Sequence, residues 1–136
     1  MGSREICWMS AVDLVRVISE KKLSPVEVVG ALLNRIEDIN PKINAYVTLT
    51  ADSALAAAKR AEDALMRGEQ VGPLYGVPVS IKDLVFTKGV RTTMGSKLLE
   101  DFVPDEDAVH IARLKQAGAI VLGKTNTPGF GCKPLT

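Results

Sequence analysis

Ser80-Ile81-Lys82-Asp83 brings a hydroxyl, a cation and a carboxyl together at the end of an apolar run. Val77, Val79 and Ile81 alternate through this stretch, which predicts a strand with Ser80 and Lys82 on one face and Asp83 on the other. A lysine near the end of a buried strand is unusual because its ammonium is costly to desolvate. Burial would depress its pKa and make the neutral amine available as a base near pH 7. Strand alternation would keep the adjacent carboxylate from opposing that shift. Read from the residues alone, a strand-end lysine that extends its ammonium to solvent is the more ordinary outcome, and both readings stand at this point.

Gly118 through Thr125 reads Gly-Ala-Ile-Val-Leu-Gly-Lys-Thr and satisfies the phosphate-loop pattern G-x-x-x-x-G-K-[ST]. Its physics is wrong for a phosphate loop, which must curl so that successive N–H groups converge on an anion, between a strand and a helix. Here the intervening residues are apolar, follow a helical stretch and read as the strand itself, so nucleotide binding is not expected. His110 is the single histidine, lies on a predicted helix and has no Asp, Cys or second His at metal spacing, so it reads as structural. Cys7 and Cys132 are far apart and in no metal spacing, consistent with reduced thiols in a cytoplasmic protein. Neither a metal nor a cofactor is called for.

The elements that must position these residues read as helices first, then helix and strand in alternation. Ser10-Ala11-Val12-Asp13 has the form of a capping box, and Ala11, Leu14, Val15 and Ile18 share a helical face after it. Ser24-Pro25-Val26-Glu27 is a stronger start, with Pro at the first helical position; Val29, Leu32, Leu33, Ile36 and Ile39 form its stripe, and Asn40-Pro41 is expected to end it. Ala54, Ala58, Ala61 and Leu65 make a face of small residues on a helix opened by Thr50 and stopped by Gly68, so a neighbour must approach closely. Asp105, Glu106 and Asp107 crowd the start of a helix closed by Gly118, where the macrodipole favours negative charge. The resulting expectation is an α/β arrangement: helices near 11–21, 25–39, 51–67 and 106–117, strands near 43–49, 77–82 and 119–124, and the amino-terminal helices covering the sheet.

Composition narrows the function classes. The chain has 136 residues, 46% hydrophobic and 24% charged, which fits one ordinary globular domain rather than a disordered chain. A net charge of +1 supplies no general pull toward nucleic acid or anionic membrane, and 4% aromatic residues leave few stacking platforms. No apolar run approaches a membrane span, and no secretory signal is visible.

The run Gly72-Pro-Leu-Tyr-Gly-Val-Pro-Val-Ser-Ile-Lys-Asp, followed by Thr87-Lys-Gly-Val-Arg-Thr-Thr-Met-Gly-Ser, resembles the amidase signature family. Asp107-Ala108, Leu114-Lys-Gln-Ala-Gly-Ala and Gly123-Lys-Thr-Asn follow in the same order, and the preceding helices are similar to that family's amino-terminal region. The resemblance implies a mixed β-sheet flanked by helices and amide-bond hydrolysis by a Ser–cis-Ser–Lys triad, with Lys82 matching the catalytic lysine. In that mechanism the neutral lysine withdraws a proton through a bridging serine, the activated serine attacks the amide carbonyl, and backbone N–H groups hold the oxyanion. Both serines of the family lie downstream of the block that ends here with Asn126, and residues 127–136 contain no serine. Ser80 and Ser96 do not match them, Gly129 stands where the family usually has an acidic residue, and Gly131 to Thr136 fit only loosely. Residues 1–136 are therefore expected to form the amino-terminal part of a single amidase signature domain, without amidase activity alone. The partners implied are a small-molecule amide in the complete enzyme, and a second copy or the missing carboxyl-terminal portion over the exposed sheet, with no nucleic acid and no membrane. A non-catalytic remnant or binding module, and the glutaminase subunit of a tRNA-dependent amidotransferase, are the alternatives.

Overall fold

Serines open the second and third helices of the chain. In a computed structural model that describes residues 2–133 and 136, α1 (Ser3–Ile6) is a single turn and α2 (Ala11–Ser19) begins where the Ser10 hydroxyl accepts the Asp13 N–H at 3.1 Å. The same hydroxyl donates to the Asp13 carboxylate, so the reciprocal half of the expected box is made by the side chain rather than the backbone of Ser10. At α3 (Pro25–Ile43) the box is complete: Ser24 accepts the Val26 N–H, and Glu27 accepts the Ser24 N–H at 2.9 Å.

Helix α3 runs past Asn40-Pro41, where the sequence pattern predicts its end. Proline removes one N–H and crowds a carbonyl one turn back, but so close to the helix end few further bonds depend on it. Asn40 supplies the compensation. Its side-chain oxygen accepts the Tyr46 N–H at 2.7 Å and its amide donates to the Tyr46 carbonyl, while Asn44 adopts the left-handed conformation that ends the helix. The first strand, β1 (Tyr46–Leu49), consequently starts later than the alternation from Ile43 suggests.

The remaining elements are α4 (Ala51–Met66), β2 (Pro78–Lys82), α5 (Val109–Gln116) and β3 (Ile120–Thr125), with 3-10 turns at Lys97–Leu99 and Gly129–Gly131. The sheet order is β1-β3-β2, with β2 parallel and β1 antiparallel to β3, so the expected α/β arrangement is present. Helix α5 starts later than the acidic cluster before it. Asp107 instead ties this crossover down by accepting the Lys88 N–H at 2.8 Å and the Lys115 ammonium at 2.7 Å. Desolvation pushes the Asp107 carboxyl up, and these two donors more than offset it, holding the group below the usual carboxylate range.

Two apolar clusters hold the layers together. Ile6, Leu14, Val17, Ile18, Leu23 and Val28 join the amino-terminal helices to Val77 at the foot of β2. Val29 of α3, Ala54, Ala58 and Ala61 of α4, and Ile120 and Leu122 of β3 form the second, so the small face of α4 is what lets helix and sheet approach. Thr50 reinforces that approach: its N–H donates to the Leu122 carbonyl and its hydroxyl to that of Val121, and the side chain makes no capping bond to α4. Gly123 is required where β1 crosses, because a Cβ there would run into the Thr48 carbonyl, and the β2–β3 register shifts next to it, between Val79 and Ser80.

Ala58 has no exposed surface in this seam, so overpacking it should be felt directly. Ala58→Leu is expected to destabilise the chain by about 1–3 kcal/mol in urea denaturation, whereas Ala57→Leu, at a half-buried position one residue back, should cost less.

Candidate active site

Lys82 is the last residue of β2, pairing with Thr125 of β3, which in turn pairs with Tyr46 of β1. The strand alternates as expected: Ile81 and Asp83 are buried, Ser80 and Lys82 exposed. The Ser80 hydroxyl is hydrogen-bonded to the Tyr46 hydroxyl, at the end of a groove lined by Leu32, Ile36, Ile39 and Pro78. Lys82 extends from the same strand face two residues farther on. Its amine is expected either in the sheet interior or in a cleft that further polypeptide would close; within this chain Lys82 is open to solvent at the sheet end, so the interior position is not the one it takes.

The segment leaving β2 is fixed by buried polar groups. Asp83 is 1% exposed; its carboxylate accepts the Thr93 N–H at 3.1 Å and the Thr93 hydroxyl at 2.5 Å. Its own carbonyl accepts the Met94 N–H at 3.0 Å, and its N–H donates to the Thr125 carbonyl at 2.9 Å. The chain therefore turns back onto the residue that follows Lys82.

The desolvated lysine of this region is Lys124. Its side chain is fully buried on β3, where Nζ donates to the Val85 carbonyl, to Thr87 Oγ1 at 3.0 Å and to Thr92 Oγ1 at 2.9 Å. Desolvation lowers its pKa to about 8, against the pull of the Asp83 and Asp107 carboxylates that favours the charged form. The residue belongs to the phosphate-loop pattern, and its segment is a strand, as its apolar content predicts. What sequence reasoning misses is that a lysine following a doubly buried apolar run must itself be buried and needs acceptors; the run Ala119 to Leu122 carries that signal.

His110 is exposed on α5, Cys7 is a half-buried free thiol and Cys132 an exposed one. Among the described residues no group of three or more His, Cys, Asp or Glu side chains could hold a metal ion, and no helix is long and apolar enough to cross a membrane.

Comparison with known proteins decides the family. The amidase family model matches residues 27–136, a span that includes β2, the loop after it and β3. The chain belongs to the amidase family. Among curated relatives, a subunit of the glutamyl-tRNA(Gln) amidotransferase of Carboxydothermus hydrogenoformans is 46% identical over 126 residues, covering 93% of this chain and 26% of the relative. Its counterpart from Geobacter metallireducens is 48% identical over 113 residues, covering 83% of this chain and 23% of the relative. Among solved structures, a bacterial aryl acylamidase of the amidase signature family superposes with a TM-score of 0.85 at 33% identity, over 90% of this chain and 26% of that one. Fatty acid amide hydrolase gives a TM-score of 0.86 at 28% identity, over 93% of this chain and 22% of that one. The fold is thus part of the amidase signature fold, and this chain spans about a quarter of the length of the curated relatives it matches.

The pKa of Lys124 makes stability depend on pH with a definite sign. Between about 8 and 10.5 the unfolded chain keeps a proton that the folded chain gives up, so this residue adds stability as pH rises through that window. Urea denaturation at pH 7 and pH 10 should show wild type gaining on Lys124→Met by roughly 3 kcal/mol at most. A gap that stays constant would place the Lys124 pKa at its ordinary value.

Proposed function

We propose that this chain supplies the lysine of an amide-bond hydrolase, with Lys82 as the base that acts through serines outside residues 1–136. The observation that carries this is the position of Lys82: within the run Gly72 to Asp83 that resembles the amidase signature, at the solvent-facing end of β2, on a backbone fixed by Asp83. A lysine acts as a general base through its neutral amine, a form that desolvation favours. The role therefore requires that further polypeptide cover the sheet end, desolvate the amine and bring the nucleophile. Activated serine then attacks the amide carbonyl, the lysine proton passes to the leaving amine, and water, deprotonated by the lysine, releases the acid.

Of the two amide substrates in view, a simple carboxamide and glutamine, the second has a specific observation behind it. Relatives that share 46% and 48% of matched residues bear the name of glutamyl-tRNA(Gln) amidotransferase, whereas the amidases superposed here share 33% and 28%. Glutamine hydrolysis with release of ammonia is accordingly the first activity to assay, and aryl or alkyl carboxamides the second.

Residues 1–136 alone are expected to hydrolyse neither. In the full-length enzyme Lys82→Ala should lower kcat by about 10²- to 10⁴-fold with KM close to wild type, because the amine acts in the transition state. Steady-state ammonia release measures both constants, and near-normal turnover would remove Lys82 from the mechanism.

A further inference from the structure

Resting on the reading of Lys82 as the base, we infer that Lys124 is the positioning residue for Lys82: its buried ammonium locks the loop that leaves β2 and thereby fixes the direction in which Lys82 projects. The match of donors to acceptors supports this role. The Thr87 hydroxyl gives its proton to the Val85 carbonyl at 3.2 Å, and the Thr92 hydroxyl gives its proton to the Val90 carbonyl at 3.0 Å. Each therefore presents only lone pairs to Lys124, as does the Val85 carbonyl itself. Three acceptors face one nitrogen, and an ammonium has three N–H groups to give them.

All three partners lie between residues 85 and 92, and they are 32 to 39 positions away from Lys124 in sequence. The same loop is held at its other end by Asp83 and Thr93. Lys82 sits immediately before this doubly anchored loop, and its strand partner Thr125 immediately follows Lys124. The charged groups that act on the ammonium are Asp83 and Asp107, which attract it, and Lys115, which repels it. Because its side chain is fully buried and committed to the loop, Lys124 does not touch substrate; it acts through the backbone on either side of Lys82.

Amide hydrogen exchange on the 136-residue chain tests the lock, with Lys124→Met and, should that variant fail to fold, Thr92→Val, which removes one acceptor at nearly constant shape. Exchange at Thr93 and Met94 is expected to quicken about 10- to 100-fold while the amides of α4 keep their wild-type rates. In the full-length enzyme the folded variant should lower kcat for amide hydrolysis with KM little changed and the pH profile unshifted, since Lys82 would keep its chemistry but lose its aim. Unchanged exchange at Thr93 and Met94 overturns the lock, and a loosened loop with full kcat overturns the positioning role. Full turnover by Lys82→Ala overturns the reading of Lys82 itself, and the positioning role with it.

Discussion

A charge withdrawn from water must find its hydration again in the protein, and the burial of the Lys124 ammonium imposes that demand on everything around it. A buried cation left unpaired costs several kcal/mol. One backbone carbonyl and two threonine hydroxyls meet the demand, and they can do so only if residues 85–92 fold over the face of the sheet. The loop is thus shaped by what the ammonium needs as much as by its own turn residues. Among the described residues no buried side-chain nitrogen or oxygen is left without a hydrogen-bond partner, which is the condition such a polar interior has to meet.

The apolar half of the molecule answers a different constraint. The alanine face of α4 brings a helix axis close to β3, and Thr50 ties the start of that helix to the strand carbonyls. Sheet and helices are therefore a rigid block on one side, and the Asp83–Lys124 polar region stiffens the other. Lys82 stands at the boundary between them, its backbone held from both directions and its side chain open. Such a division suits a group that has to be aimed before it is enclosed.

Most of the architecture is legible in the sequence because it is written locally. Ser24-Pro25 with Glu27 names a helix start within four residues, the alternation at Val77, Val79 and Ile81 names a strand, and the alanine spacing of α4 names its buried face. Helix α3 outruns its expected end at Pro41 because the compensating contacts run from Asn40 to Tyr46, a pairing that propensity does not describe. The candidate site divides in the same way. Lys82 can be singled out from its own strand and from the motif around it, whereas the desolvation expected of Lys82 belongs to Lys124. The partners of that residue lie more than thirty positions away and converge on it only in the folded chain. A pattern of eight residues that mimics a phosphate loop is a poor guide to a lysine whose contacts are all tertiary.

The register shift beside Gly123 has a consequence for the two lysines. Val79 pairs with Val121, yet Ser80 pairs with Gly123, so β3 carries one residue more than β2 across this point. Were the ladder regular, Leu122 would sit opposite Ser80, Gly123 opposite Ile81, and Lys124 directly beside Lys82. Neighbouring cross-strand side chains share a face, so two ammonium groups would project together, repelling each other in the same patch of solvent. The extra residue instead pairs Lys124 with Ile81 and sends the two amines to opposite sides of the sheet. A single inserted backbone unit, made possible by a position with no side chain, thereby acts as a sorting device: it assigns one of two chemically identical groups to the interior and the other to the surface.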